Sequence, residues 1–131
     1  MPSFGATELS IAEGHDFLVT TLRAPSTDED DFYLMAQRKV SPHSARDVAW
    51  GRAQPYTEWC GQGWSWFGHI ESFELSRQSI SVWMDSDAAG HMRNDGQLHV
   101  SFDLDDLQQY TRLRSALRRT FQGCRFYSES P

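Results

Sequence analysis

Hydrophobic and polar residues alternate with a period near two over most of the chain, and the period lengthens to three or four only near its end. "TELSIAEG" and "DFLVTTLRA" are apolar, β-branched segments split by "GHD" at Gly14 to Asp16, which predicts a hairpin. "FYLMAQRKV" predicts a third strand, and "SPHSAR" from Ser41 a loop. Between Asp47 and Trp59 the alternation is loose: Val48, Trp50 and Tyr56 mark extended chain, while Pro55 restricts it to an edge or a break. "HIESFELSRQSISVWMD" predicts two strands joined near Ser76 to Ser79. In the second of these, Ile80, Val82 and Met84 share the core face, leaving Ser81, Trp83 and Asp85 outside. "SDAAGHMRNDG" has room for one short helical turn and ends on the turn pair Asp95-Gly96. "QLHVSFDL" sends Leu98, Val100, Phe102 and Leu104 one way and His99, Ser101 and Asp103 the other, the pattern of an antiparallel strand covered on one face.

The cover comes next. From Asp105 to Gln122, Leu107, Tyr110, Leu113, Leu117 and Phe121 recur at helical spacing and form one stripe. Asp105 and Asp106 suit the positive N-terminal end, Arg118 and Arg119 the negative C-terminal end, and Gly123 a C-terminal cap. The fold class expected is α+β, a mostly antiparallel sheet of about six strands with one C-terminal amphipathic helix packed on one face. Residues 1–131 form a single domain in this reading, with its core in 5–122 and "CRFYSESP" a loosely held tail.

Composition narrows the function classes. A chain of 131 residues with 39% hydrophobic and 13% aromatic residues is large enough for one core without metal or disulfide staples. A net charge of −6 argues against nucleic acid, whose phosphates need clustered Lys and Arg, and favours a basic protein partner. "MPSFGATELS" lacks a signal-peptide pattern, and no apolar run reaches the length that spans a bilayer, so a soluble cytoplasmic protein is expected. Cys60 and Cys124 form no CxxC pair and read as idle thiols.

"WCGQGWSWFG" concentrates three of the five tryptophans at Trp59, Trp64 and Trp66. It is not a dinucleotide loop: Trp66 stands where the third glycine of GxGxxG belongs, and the following segment reads as strand. "GQG" therefore predicts a turn joining two strands. Three roles for the tryptophans stay open: cross-strand packing, an anchor for a protein partner, or the wall of a ligand pocket. The acidic run Asp28, Glu29, Asp30 and Asp31 reads as a solvated loop or as a docking patch for a basic partner. The histidines show no HxxxH or HExxH spacing, there is no GxSxG elbow, and "RLRSALRR" is the solvated side of the helix. No metal, cofactor or catalytic residue is expected.

The order of segments carries a resemblance. "FYLMAQR" at Phe32 to Arg38, "FGHIESFELSRQSISVWMD" at Phe67 to Asp85, "LHVSFDLDD" at Leu98 to Asp106 and the closing "LRSALRRTF" resemble the immunity protein 10 family over roughly residues 5 to 122, with Gln37-Arg38 and Ile70-Glu71 as polar marks. The family pattern has a Gly-Gly pair before Ile70, where this chain has His69. The resemblance implies a non-catalytic bacterial immunity protein that binds and neutralises a cognate toxin of a polymorphic toxin system. Trp59, Trp64, Trp66 and Asp28 to Asp31 are then the candidate contact residues, with no nucleic acid or membrane involved and homo-oligomerisation left open. The alternative is a small enzyme or ligand-binding domain that uses residues 59–68 as a pocket wall.

Overall fold

A computed structural model describes residues 3–25, 32–49, 55–59, 65–67, 69–104 and 106–130. The class is α+β, with two sheets where the sequence predicts one and ten strands among the described residues where it predicts about six. Sheet A has the order β1-β9-β8-β7-β10, from β1 (Ser3–Ala6), β7 (Ile70–Leu75), β8 (Ser79–Met84), β9 (Gln97–Phe102) and β10 (Tyr127–Glu129). Sheet B runs in chain order, from β2 (Glu8–Glu13), β3 (Phe17–Arg23), β4 (Tyr33–Lys39), β5 (Tyr56–Trp59) and β6 (Ser65–Phe67). The described residues also form three helices: α1 (Ala45–Ala49), α2 (Ser86–Met92) and α3 (Leu107–Thr120).

The period-two segments form the sheets as their patterns require. Leu18, Leu22, Leu34 and Ala36 are buried on sheet B, and Ile80, Val82, Met84, Leu98, Val100 and Phe102 on sheet A. The predicted hairpins are present: β2 pairs with β3, β7 with β8 and β5 with β6, all antiparallel. Ile70 and Phe73 are both buried although three positions apart, because the β7–β8 register shifts between Ile70 and Ser72 and so restores the face. Each sheet has one apolar face, and the two faces meet in a single core; Phe4 of β1 lies 5.1 Å from Trp59 of β5, ring to ring.

Three expectations need correction. The segment after Ser44 opens as helix α1, where Ala45 and Arg46 were read as loop and Val48, with Trp50 and Tyr56, as a mark of extended chain; Ala45, Arg46 and Ala49 favour helix, and Tyr56 is in strand β5. The C-terminal tail is not loose: β10 pairs with β7, and β1 with β9, both parallel. These pairings join residues far apart in sequence, so no local pattern announces them. Finally, α3 lies against β2, β3 and β4 of sheet B, and Phe121, just after the helix, reaches Phe73 of sheet A. Leu113, Ala116, Leu117, Thr120 and Phe121 are buried, but Leu107 is 63% exposed, so the buried stripe starts later than the sequence suggests.

Helix α3 and the tail lock each other. Asp106 caps the helix by accepting from the Gln108 amide at 2.8 Å. At its other end Phe121 stands 4.5 Å from Phe73, 5.4 Å from Phe126 and 5.5 Å from Tyr127, ring to ring. The Phe73 amide donates to the Phe126 carbonyl at 2.9 Å and the Ser130 amide to the Leu75 carbonyl at 2.8 Å, which seats the tail on the edge of sheet A.

Candidate functional site

Sheet B positions the segments that the sequence singles out. β3 ends at Arg23 and β4 begins at Tyr33, while β5 ends at Trp59, the register partner of Leu34. The chain entering and leaving 26–31 therefore does so beside the end of β5, from which 60–64 departs. Asp28, Glu29, Asp30, Asp31, Cys60 and Trp64 themselves lie outside the described residues. Of Trp66 only the backbone is described, as the partner of Thr57 in β6. Trp59 corrects one expectation: at 2% exposed and packed on Phe4 it fills the core and presents no indole to a partner or a ligand.

The outer face of sheet B at the same end carries a linked polar and aromatic strip. The Arg23 guanidinium lies 4.9 Å from the Tyr33 ring centroid, the Tyr33 hydroxyl donates to Glu58 Oε2, and the Tyr56 hydroxyl donates to Glu58 Oε1 at 2.9 Å. Both Glu58 oxygens are thus held by phenols, which fixes the two rings on the surface. Phe32 stands 39% exposed where the chain re-enters the sheet, its amide neighbour Ala24 donating to the Phe32 carbonyl at 3.0 Å. Half-buried Tyr and Arg with an exposed Phe are residues that supply protein contacts, and their rigidity lowers the entropy lost on docking. Sequence reading passed over Phe32, Tyr33, Tyr56 and Glu58. The sequence signal was their place beside the acidic run and the Trp-rich segment; the link between them comes only from strand register.

Other reactive groups are arranged for structure. On the outer face of sheet A the Ser81 hydroxyl and His99 Nδ1 are 3.0 Å apart. Glu74 is the register partner of Ser81 on its far side, so it stands across the serine from the imidazole and does not orient it as a relay carboxylate does. Cys124 is half-buried, and burial pushes its thiol up, away from the reactive thiolate.

His69, Asp85 and Asp87 are a set with the donor chemistry for a cation, one imidazole and two carboxylates whose ligand atoms lie within 4.8 Å of one another. Asp85 is already engaged at both oxygens: Oδ1 accepts from the Ala88 amide at 2.9 Å, capping α2, and Oδ2 lies 2.6 Å from His69 Nδ1. The Ala88 amide first, then His69, hold the Asp85 carboxyl below the usual range against the opposing effect of desolvation. His69 also has φ 61, the left-handed backbone that glycine adopts without strain. The glycine that the resemblance leads one to expect at this position would take that backbone without strain, and the His69 imidazole ties the start of β7 to the start of α2.

No helix among the described residues is long and apolar enough to cross a membrane. No solved structure matches the chain. Among curated proteins it is similar to mouse (Mus musculus) Lethal(3)malignant brain tumor-like protein 1, at 27% identity over 73 residues. That alignment takes in 56% of this chain but only 9% of the mouse protein. The profile of the family described as Immunity protein 10 matches residues 5–110, from β1 into the first turn of α3, and the chain therefore belongs to the immunity protein 10 family.

Proposed function

We propose that this protein is a non-catalytic inhibitor that binds a cognate bacterial toxin and neutralises it by occlusion. Family membership supports the inhibitory role. The observation that supports the location is the register pair Leu34–Trp59, which brings the start of β4 beside the end of β5. In this reading Trp64 and Trp66 serve as apolar anchors, Phe32, Tyr33 and Tyr56 extend the aromatic surface, and Asp28 to Asp31 supply a charged rim that speeds capture of a basic toxin surface. Occlusion needs a rigid complementary face and no poised acid or base. Trp59 contributes by holding the strand ends from beneath, not by contact.

The test is calorimetry with the cognate toxin domain, sought among the neighbouring genes, on single Trp64→Ala and Trp66→Ala variants and on the combined Asp28→Asn, Glu29→Gln, Asp30→Asn, Asp31→Asn variant. At least one tryptophan variant loses about 2 kcal/mol or more of affinity while its urea midpoint is unchanged. The charge variant slows association and weakens its dependence on salt. Full affinity in all three places the contact elsewhere; no binding by the unmodified protein removes the reading altogether.

A further inference from the structure

A recess of about 480 Å³ opens between the first turns of α3, the β7–β8 turn and the C-terminal strand, and it is lined by none of the residues proposed to contact the toxin. Arg77 and Arg114 face it, with their guanidinium carbons 5.6 and 5.8 Å from the centroid of the Tyr110 ring. The carboxylate in its lining is Glu129, which is fully engaged. Arg118 grips it with a two-pronged contact, Nε to Oε2 at 2.8 Å and Nη2 to Oε1 at 2.6 Å, and the Tyr127 hydroxyl donates to Oε2 at 2.8 Å. Arg118 balances the one negative charge, and Arg114 acts on Glu129 only through space. Two cations remain beside one ring with no hydrogen-bonded carboxylate among the described residues. A ring face offers an exposed cation only about 0.5–1 kcal/mol, and the two guanidiniums repel each other across it.

On a chain whose net charge is −6, this local excess of positive charge is selective for one kind of ligand. Guanidinium forks match the geometry of carboxylate and phosphate oxygens and bind them more strongly than neutral donors bind. Leu107, 63% exposed, gives the same recess an apolar wall, so the favoured anion carries an apolar body next to its charge. The volume falls within the range of small-ligand pockets, about 300–1,000 Å³. We infer that the recess formed by Arg77, Leu107, Tyr110 and Arg114 is an oxyanion-binding site that takes a carboxylate or phosphate attached to a small apolar group. The oxyanion comes either from a free small molecule or from an acidic side chain of a bound protein.

Calorimetric titration of the unmodified protein at low salt with phenyl phosphate, inorganic phosphate and an end-blocked oligoglutamate peptide tests this. Phenyl phosphate binds with Kd at or below about 1 mM and more tightly than inorganic phosphate. Arg77→Gln/Arg114→Gln weakens binding tenfold or more, Leu107→Ala narrows the preference for phenyl phosphate, and Arg112→Gln, on the same helix but outside the recess, changes it less than about twofold. Binding of the peptide alone also supports the site and assigns the oxyanion to a protein partner. No binding of any probe by about 10 mM overturns the inference, as does binding that survives the double variant. None of these readouts involves the toxin, so they stand or fall separately from the proposed function.

Discussion

Arg38 donates from one guanidinium nitrogen to the main-chain carbonyls of Thr120, at 3.1 Å, and Gln122, at 2.7 Å, although 82 residues separate Arg38 from Thr120. It satisfies carbonyls that a helix end leaves without partners and sets a positive charge against the negative end of the dipole. Its register partner Leu18 is in turn opposite Glu13, which pairs with Arg119. One row across sheet B thus holds the C-terminal end of α3.

Arg38→Ala removes both contacts and costs about 1.5–3 kcal/mol, the value of hydrogen bonds to a charged group, read from the urea midpoint. Arg38→Lys recovers part of the loss, because an ammonium keeps the charge but not the planar fork. Equal stability of Arg38→Ala and the unmodified protein refutes the clamp.

Core truncation separates buried from exposed positions on α3. Leu117, 1% exposed, should cost about 2–5 kcal/mol as Leu117→Ala, whereas Leu107→Ala changes stability by less than about 0.5 kcal/mol. Trp59→Ala costs about 3–5 kcal/mol through the cavity left beside Phe4. Any loss of toxin affinity in that variant should follow its loss of folded protein, and a fully folded Trp59→Ala that fails to bind contradicts the core assignment.

Position 69 tests the backbone directly. His69→Ala keeps the left-handed φ of 61 without the Asp85 contact, so it is less stable than His69→Gly by about 1 kcal/mol. Thermal unfolding of the two variants decides the point, and alanine as stable as glycine means that the conformation costs nothing.

Acid sensitivity follows from the paired carboxyls. Arg119 holds Glu13 below its ordinary value of 4.5, Arg118 and then Tyr127 do the same for Glu129, and the Ala88 amide and His69 hold Asp85 below 3.8. A depressed folded value means that the unfolded chain takes up the proton first on acidification. The stabilisation is therefore fully present above the unfolded values, near 4.5 for Glu13 and Glu129, and is lost as pH falls through the lower folded values. Urea midpoints should be flat from about pH 7 to about pH 5 and drop below that. Glu13→Gln/Glu129→Gln should start lower and lose less on acidification; a midpoint that rises below about pH 5 reverses the sign of the argument.

Local pattern was enough for much of this molecule. Alternation placed Ile80, Val82, Leu98, Val100 and Phe102 in the core and Trp83 outside, and helical spacing placed Leu113, Leu117 and Phe121 on one buried stripe. Those inferences hold because side-chain direction within a strand or helix depends on backbone geometry alone. The family was legible from the order of segments along the chain, and its profile matches residues 5–110.

Which apolar face covers which was decided only by the tertiary structure. A sheet face and a helix stripe look alike to any partner, so one sheet under a helix and two sheets facing each other predict the same alternation. Trp59 shows the consequence: its spacing from Trp64 and Trp66 was compatible with packing or with docking, and the approach of Phe4 from the other sheet settled it as core. The parallel pairings of β1 with β9 and of β10 with β7 were hidden for the same reason, since each joins residues far apart along the chain. The Arg77, Tyr110 and Arg114 recess likewise exists only where a turn, a helix and the C-terminal strand meet. Spacing along the chain fixes which way a residue points, but only the packed chain determines what it points at.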